Sequence, residues 1–520
     1  MKKFDAIVVG SGPSGTMCSS QLLKKNIKVL MIDYGLTIEE KYLNLINELK
    51  NLDKKQWNYN VRKKLFNNQN NSKDLTKKFN FGSDYIFKDS TTKLGILPSE
   101  IDYKPTLSEG GLSNIWGGTL YNYNDEDLLD WPIKHDHLEK YYEIALNYIG
   151  LNNSYKNKKI IKRENLSSSS QIKSLINFLN KNKDKLVNKN IFFEDPVLAL
   201  SDNNISKCIY CGSCLLGCVH SLIYTSKKTL KELQNNLNFS YQKGFIVKKF
   251  KEKKEIEVIC EDKNKNQKIF KCKKLFLGSG FLSTTKIVMN SYETKERLSL
   301  KGKDSQHFIF PVLLKKNLLN VEQENLHTLS QLFMILNKTN YKEKSFLQFY
   351  SYNDQILNFF KNKLGIFYNF FDFLLKKFLL GRILIVQGFI HSDYSSEAVF
   401  VFDKDKNILE VKAISKKNKI DKIKNIINLL SNNSKLLGFY PLKFFLKIGK
   451  YGKGYHSGGT FPMKNNPIKI GETDIFGRPY KFNNVHIVDS SIFPSIPAGP
   501  ITLTVMANSL RIADNFDKIR

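Results

Sequence analysis

Cys208, Cys211, Cys214 and Cys218 stand in the order C-x2-C-x2-C-x3-C within "CIYCGSCLLGCVHS", in a chain that holds seven cysteines in all. This spacing wraps a short backbone around an inorganic core, as in bacterial ferredoxin loops, where three thiolates reach one cluster and the fourth often serves another and precedes a proline. Here the fourth is followed by Val219, which favours a single cluster, of three irons, over a cube ligated wholly by this loop. Zinc more often takes paired knuckles separated by a longer loop, and reduced structural thiols need no metal. Three readings therefore stay open: iron–sulfur cluster, structural thiols and zinc. Cys260 and Cys272 fall in an apparent hairpin and Cys18 in an apparent helix, where small thiols serve as core residues.

A second constellation opens the chain. Residues 5–9 read as a strand, "GSGPSG" follows with Gly10, Gly12 and Gly15, a helical stretch "TMCSSQLLKKN" comes next, and a second strand "KVLMID" ends at Asp33. Each part has a task at a dinucleotide. Gly10 permits the tight turn, Gly12 lets backbone N–H groups approach a pyrophosphate, Gly15 allows close helix–strand packing, and Asp33 accepts hydrogen bonds from an adenosine ribose. NAD and FAD both use this element, so it leaves the nucleotide open.

The elements that must hold these residues belong to a chain of 520 residues, longer than one hydrophobic core usually supports, so two or three intertwined domains are expected. The formal charge of +32 would favour nucleic acid if it were clustered. The excess is lysine spread along the whole chain with Asn, Ile and Phe, as in "NNQNNSKDLTKKFN" and "LNKNKDKLVNKN", and no helix-turn-helix, finger or RNA-binding signature accompanies it; no nucleic-acid partner is expected. The apolar run at the N-terminus is too short for a secretion signal, and no charge-free apolar stretch of about eighteen residues offers a spanning helix. The expectation is a cytoplasmic protein, with peripheral membrane contact as an option, in which a cysteine cluster reads as a metal site before a disulfide framework.

The far C-terminus, "NNVHIVDSSIFPSIPAGPITLTVMANSLRIAD", reads as a strand ending in Asp489, a proline-broken loop and a helix from about Thr502 to Asp514. With "YHSGGTFPM" upstream, it resembles the C-terminal signature of the glucose–methanol–choline (GMC) oxidoreductases, which are FAD enzymes. Other resemblances fall in family order. "GGLSNIWGG" is similar to the flavin-contacting loop, "DWPIKHDHLEKYYEIALNYIG" to the segment after it, "KKLFLGSGFLSTTKIVMNS" to the strand and turn that complete the nucleotide-binding sheet, and "GKDSQHF" to the turn opening the substrate domain. The flavin loop looks most like the pyranose-oxidase and sugar-dehydrogenase branch. The resemblance implies an α/β chain (α+β overall): a Rossmann-like FAD-binding domain of GMC type with a second, antiparallel-sheet substrate domain. It places the FAD-binding domain at 1–150, 227–303 and 453–520, an inserted cap segment with the cysteines at 151–226, and the substrate domain at 304–452. It implies FAD contacts at Gly110, Gly111, Ser113, Asn114, Trp116, Gly117 and Asp489. Where that branch tethers FAD through a histidine this chain has Ile115, so FAD should be held non-covalently.

The resemblance also implies oxidation of a CH–OH group to a carbonyl by hydride transfer to the flavin N5, with His456 of "YHSGGT" taking the hydroxyl proton; an imidazole titrating near neutrality suits that task. The family's second polar residue falls on Pro500, which has neither a side-chain donor nor an N–H, and Thr502 is the nearest substitute. Some sugar dehydrogenases of the family carry a three-iron cluster on cysteines spaced like Cys208, Cys214 and Cys218, so electrons are expected to leave singly for a quinone, cytochrome or carrier protein. A dehydrogenase acting on a sugar or glycan alcohol is the leading expectation. The rivals are a non-catalytic flavin/iron–sulfur electron carrier and a long-chain alcohol oxidase without a cluster, whose cysteine-rich stretch also leads into a lysine, here Lys227. In the substrate half, "SEAVFVFDKDKNILEVKAI" reads as two strands around a polar turn. "ILNFFKNKLGIFYNFFDFLLKKFLLGRILIVQGF" reads as a buried helix and a strand, or as an apolar, basic-edged surface for a membrane or a lipid-linked substrate.

Overall fold

The computed structural model describes residues 4–66, 79–161, 166–201, 207–294, 297–337, 342–415 and 418–518. Ala6 to Val9 show no polar alternation, as a strand covered on both faces requires, and all four are buried in the middle of a seven-stranded sheet. Phe4–Val9 runs parallel to Val29–Ile32 on one side and to Gln267–Leu277 on the other. Phe239–Gln242 and Val485–Ile487 extend the parallel part. Phe245–Glu252 and Ile256–Asp262 add an antiparallel hairpin at one edge. Cys260 and Cys272 lie in these paired strands and are buried, as is Cys18 in the helix Pro13–Lys24. That helix packs against the C-terminal helix Thr502–Asp514. The Ser509 hydroxyl donates to Ser14 O at 2.6 Å and Gln21 Nε2 to Asp514 Oδ1 at 3.0 Å, so the two ends of the chain form one layer.

A second seven-stranded sheet is antiparallel throughout, in the order Phe439–Pro441, His307–Leu314, Ile383–Ile390, Ser345–Tyr350, Leu332–Leu336 and Ile191–Glu194, with Lys447–Ile448 also beside His307–Leu314. Side chains alternate across a strand, and here the alternation divides two environments. Phe308, Phe310, Val312, Leu347, Phe349, Leu384 and Val386 enter a core shared with Ile172, Leu175 and Leu179 of the helix Ser170–Lys181 and with Ile423, Ile426 and Leu430. Of the alternate residues, His307, Gln348, Tyr350, Gln387 and Phe389 face the nucleotide-binding half, while Leu313, Ile383 and Ile385 pack with Val321, Tyr352 and Ile356.

Three expectations are revised. The 397–414 hairpin forms as two antiparallel strands around its polar turn, but it joins a separate five-stranded sheet with Ser299–Asp304, Ser457–Gly458 and Ile96–Ser99. Its Ala398, Phe400, Leu409 and Val411 belong to the core of the nucleotide-binding sheet. The 151–226 segment is not all an insertion around the cysteines, since its residues 170–194 supply a helix and an edge strand to the antiparallel sheet. Residues 354–380 are helical and lead into a sheet strand at Ile383, yet the helix is not buried, because Phe367, Phe370, Phe373 and Phe378 are exposed. No helix among the described residues is long and apolar enough to cross a membrane.

Candidate active site

A cavity of 840 Å³ lies between the first sheet and the antiparallel sheet. At one end the strand Phe4–Val9 breaks at Gly10, whose φ of +96° and whose virtual Cβ, 2.6 Å from Gly278 O, admit only glycine. A Cβ on Gly15 would lie 1.9 Å from Gly10 O, so the helix presses directly on the strand end. At Gly12 nothing lies nearer than 4.0 Å, leaving the approach to the helix open. The helix Pro13–Lys24 starts with no side-chain cap and no acid in its first turn, and Gly12, Pro13 and Ser14 line the cavity. Its first-turn N–H groups are thus available to an anion. The Ser11 hydroxyl donates to Asp33 and accepts from Gly110 N–H at 2.9 Å, tying the ribose-side acid to the 110–117 loop. Burial pushes the Asp33 carboxyl up to about 6 against the opposing hydrogen bond from Ser11. The acceptor Asp33 and an open helix terminus fit a dinucleotide such as FAD, and Lys227, Lys228, Lys231 and Lys453 add cationic groups to the cavity wall.

Gly111, Ser113, Asn114, Trp116, Gly117 and Asp489 all line this cavity, whereas Gly15 and Gly110 stand behind it. The polar side-chain atoms of several are already engaged. Asn114 Nδ2 donates to Glu109 O and Gly111 O, both at 2.8 Å, Ser113 Oγ donates to Gly110 O, and Trp116 Nε1 donates to Tyr224 O. Asp489 accepts from Gly280 N, Thr284 Oγ1, Ser491 N and Ser491 Oγ. Burial raises its carboxyl above the ordinary range while these donors oppose the rise. These residues set the shape of the wall, and their side-chain hydrogen bonds hold protein to protein. Ile115 also faces the cavity.

His456 lines the same cavity, with Pro500 and Thr502 also in the wall. It follows Tyr455, a non-glycine residue at φ +58°, and local backbone strain of this kind persists only where the surroundings impose it. Asp304 imposes it here, accepting from Gly452 N at 3.0 Å and from Ser457 Oγ at 2.7 Å and so gripping the loop on both sides of His456. Burial lifts the Asp304 carboxyl to about 7. The His456 ring stacks on Phe389 with centroids 4.5 Å apart and planes 26° apart. Thr502 is the first residue of the C-terminal helix, two positions past Pro500.

Sequence reading missed the opposite wall. His307, Gln348, Tyr350, Gln387 and Phe389 line the cavity from the antiparallel sheet, Gln348 and Gln387 as direct cross-strand partners. Tyr350 OH donates to Gln348 Oε1 at 2.7 Å. The available signal was a single glutamine inside each of the apolar runs "SFLQFY" and "ILIVQGFI", since a buried polar residue is the informative exception.

The four-cysteine loop adjoins the same cavity, which Cys214 and Cys218 line and Cys208 and Cys211 do not. All four thiols are free. Tyr210, Gly212, Gly217 and Ser221 take positive φ, giving the loop its tight winding. Amide N–H groups point at the sulfurs: Leu222 at Cys218 at 3.5 Å, and Tyr210, Ser213 and Thr328 at Cys208, Cys211 and Cys214. Burial pushes the Cys211 thiol up to about 11 and Cys214 higher still, so thiolates here need compensating positive charge. Among the described residues no three of these sulfurs lie within 4.8 Å of one another, whereas a tetrahedral zinc with Zn–S bonds of about 2.3 Å would hold its sulfurs roughly 3.8 Å apart.

A glycine turn with an open helix terminus and an imidazole thus share the walls of one cavity between the first sheet and the antiparallel sheet. Residues 439–509, which include His456, Asp489 and Thr502, match the family model described as GMC oxidoreductase. Among solved structures the chain is similar to pyridoxine 4-oxidase from Mesorbium loti, at 12% identity with a TM-score of 0.62, covering 98% of each chain. No curated protein matches the sequence. Residues 439–509 are thus similar to GMC oxidoreductases and the chain shares the fold of pyridoxine 4-oxidase; neither match singles out a branch of the family.

Proposed function

We propose that the protein is an FAD-dependent dehydrogenase that oxidises the CH–OH group of an uncharged, polyhydroxylated alcohol such as a sugar or glycan to a carbonyl. The observation that carries this reading is that Gly10, Gly12 and Asp33 share one cavity with His456. Gly12, the first turn after it and Asp33 would hold the pyrophosphate and ribose, with Ile115 leaving FAD non-covalent. FAD supplies a two-electron oxidant when bound there. A ring nitrogen of His456 takes the hydroxyl proton, a general-base contribution of about 10²-fold or more, and Phe389 keeps the ring plane in place. Gln348 and Gln387 offer both donors and acceptors to further hydroxyl groups, and Thr502 supplies the hydroxyl that Pro500 lacks. An acyl chain would offer these amides no hydrogen-bond partner, which disfavours a fatty alcohol.

The cysteine loop supports the second half of the proposal. Four thiols outside any disulfide, with amide donors directed at them and in the C-x2-C-x2-C-x3-C order, suit an iron–sulfur cluster, which would supply one-electron transfer to a quinone, cytochrome or carrier protein. A quinone acceptor would bring the protein to a membrane surface peripherally.

The test is anaerobic loss of flavin absorbance with a panel of sugars and alcohols, for the parent and His456→Ala, with iron and sulfide analysis of protein purified without air. Substrate-dependent bleaching that His456→Ala slows by about 10²-fold or more is expected. Bleaching untouched by the substitution would remove His456 as base. No bleaching with any hydroxyl compound would point to an electron carrier.

A further inference from the structure

Residues 365–380 carry two apolar faces. Tyr368, Leu375, Leu379 and Leu380 turn inward and pack with Val321, Tyr352, Ile356 and Ile383. The other face looks to solvent: Phe367, Phe370, Phe371, Leu374 and Phe378 recur at three- and four-residue steps with Phe373 beside them, at 63%, 77%, 38%, 45%, 54% and 66% exposure. One apolar stripe is enough to seat a helix on its domain. The second is therefore not accounted for by the fold, and so many contiguous exposed aromatic rings mark an interaction surface.

We infer that this outward face docks on an anionic phospholipid bilayer. Charge selects the occupant. Lys377 Nζ sits 5.3 Å and 5.4 Å from the rings of Phe373 and Phe378, placing an ammonium group at the rim of the apolar face. Lys315 and Lys316 are exposed in the neighbouring loop, whose Asn317 donates to Lys377 O at 2.7 Å. The one acid in the segment, Asp372, is engaged by Tyr368 and Lys376. A second copy of the chain would present the same cationic rim, and at +32 two chains repel, whereas an anionic leaflet attracts both the rim and the whole molecule. Aromatic rings flanked by lysine are the composition of helices that lie in the headgroup region. Gln355 at the start of the preceding helix lines the cavity, and the strand that follows brings Gln387 and Phe389 to it, so docking would set the cavity close to the lipid surface. The surface stands independently of the reaction proposed for that cavity.

The test is sedimentation of the full chain with phosphatidylcholine vesicles and with vesicles containing phosphatidylglycerol, at low and high salt. The parent is expected to sediment with the phosphatidylglycerol vesicles, weakly with phosphatidylcholine alone, and less at high salt. Combined F370S, F373S and F378S should lower partitioning by about 100-fold or more, with flavin content and the thermal transition retained. Because that variant keeps the lysines, a second variant, K316E with K377E, should lose the phosphatidylglycerol preference while keeping the rings. Absence of binding to phosphatidylglycerol vesicles, or a triple variant that binds like the parent, would overturn the inference. So would a parent dimer that the triple variant splits, since the face would then belong to self-association.

Discussion

Substitution of Asp304 by Asn separates the two roles this carboxyl combines. Asp304 is fully buried and accepts from Gly452 N and Ser457 Oγ, on either side of His456. An unfolded aspartate titrates at 3.8, and burial lifts this one to about 7. Between those values the folded protein holds a proton that the unfolded chain has released, so stability falls as pH rises through that window. The interval corresponds to at most about 4 kcal/mol. Asparagine keeps both contacts, its carbonyl accepting from Gly452 N–H and its amide donating to Ser457 Oγ, and it cannot ionise. Unfolding free energies from urea titration should therefore be similar for parent and variant near about pH 4 and diverge in the variant's favour by up to about 4 kcal/mol near about pH 8. Asp304→Ala leaves the Gly452 N–H and the Ser457 hydroxyl without their acceptor and should cost about 1–3 kcal/mol for each near about pH 4, and less near about pH 8, where the parent carries the ionisation penalty that alanine also removes, with slower flavin reduction as the His456 loop loosens. A parent-to-Asn difference that is the same at both pH values would refute the reasoning, because Asp304 would not be titrating in that window.

Asp33→Ala should weaken FAD binding by about 10- to 100-fold, as expected for losing hydrogen bonds to a charged acceptor, read by flavin fluorescence titration. In the parent that affinity should rise with pH through about 6, where the carboxyl ionises. Gln387→Leu should raise KM for a polyhydroxylated substrate by about 10-fold, with flavin content unchanged, and no change in KM would remove Gln387 from the substrate wall. Cys214→Ser should cut iron content while anaerobic flavin reduction by substrate persists; equal iron in parent and variant would exclude Cys214 as a ligand.

Local chemistry carried much of this protein in its linear order. The turn at Gly10 and Gly15 needs glycine for reasons contained in a few neighbouring residues, and a virtual Cβ 1.9 Å from Gly10 O is the close packing that the triplet encodes. The helix from Thr502 to Asp514 was legible to its ends, because a proline-broken loop precedes it and its apolar periodicity is unbroken. The thiols of Cys260 and Cys272 followed from a hairpin readable in sequence. Position within an assembled wall was not legible. Gln348 and Gln387 face the cavity because the antiparallel sheet buries its even and odd residues in different places, and strands apolar on both faces give no alternation from which to choose. The 397–414 hairpin could pair with either sheet by its own pattern, and only its contact with the nucleotide-binding core decided which. The roles of Asn114 and Asp489 depend on donors and acceptors brought from elsewhere in the chain or held by loop geometry, and the exposure of Phe370 and Phe373 depends on which of two apolar stripes the neighbouring loop covers. Short-range sterics and periodicity belong to the sequence alone; which surface meets which is decided only when distant segments compete to bury the same apolar area.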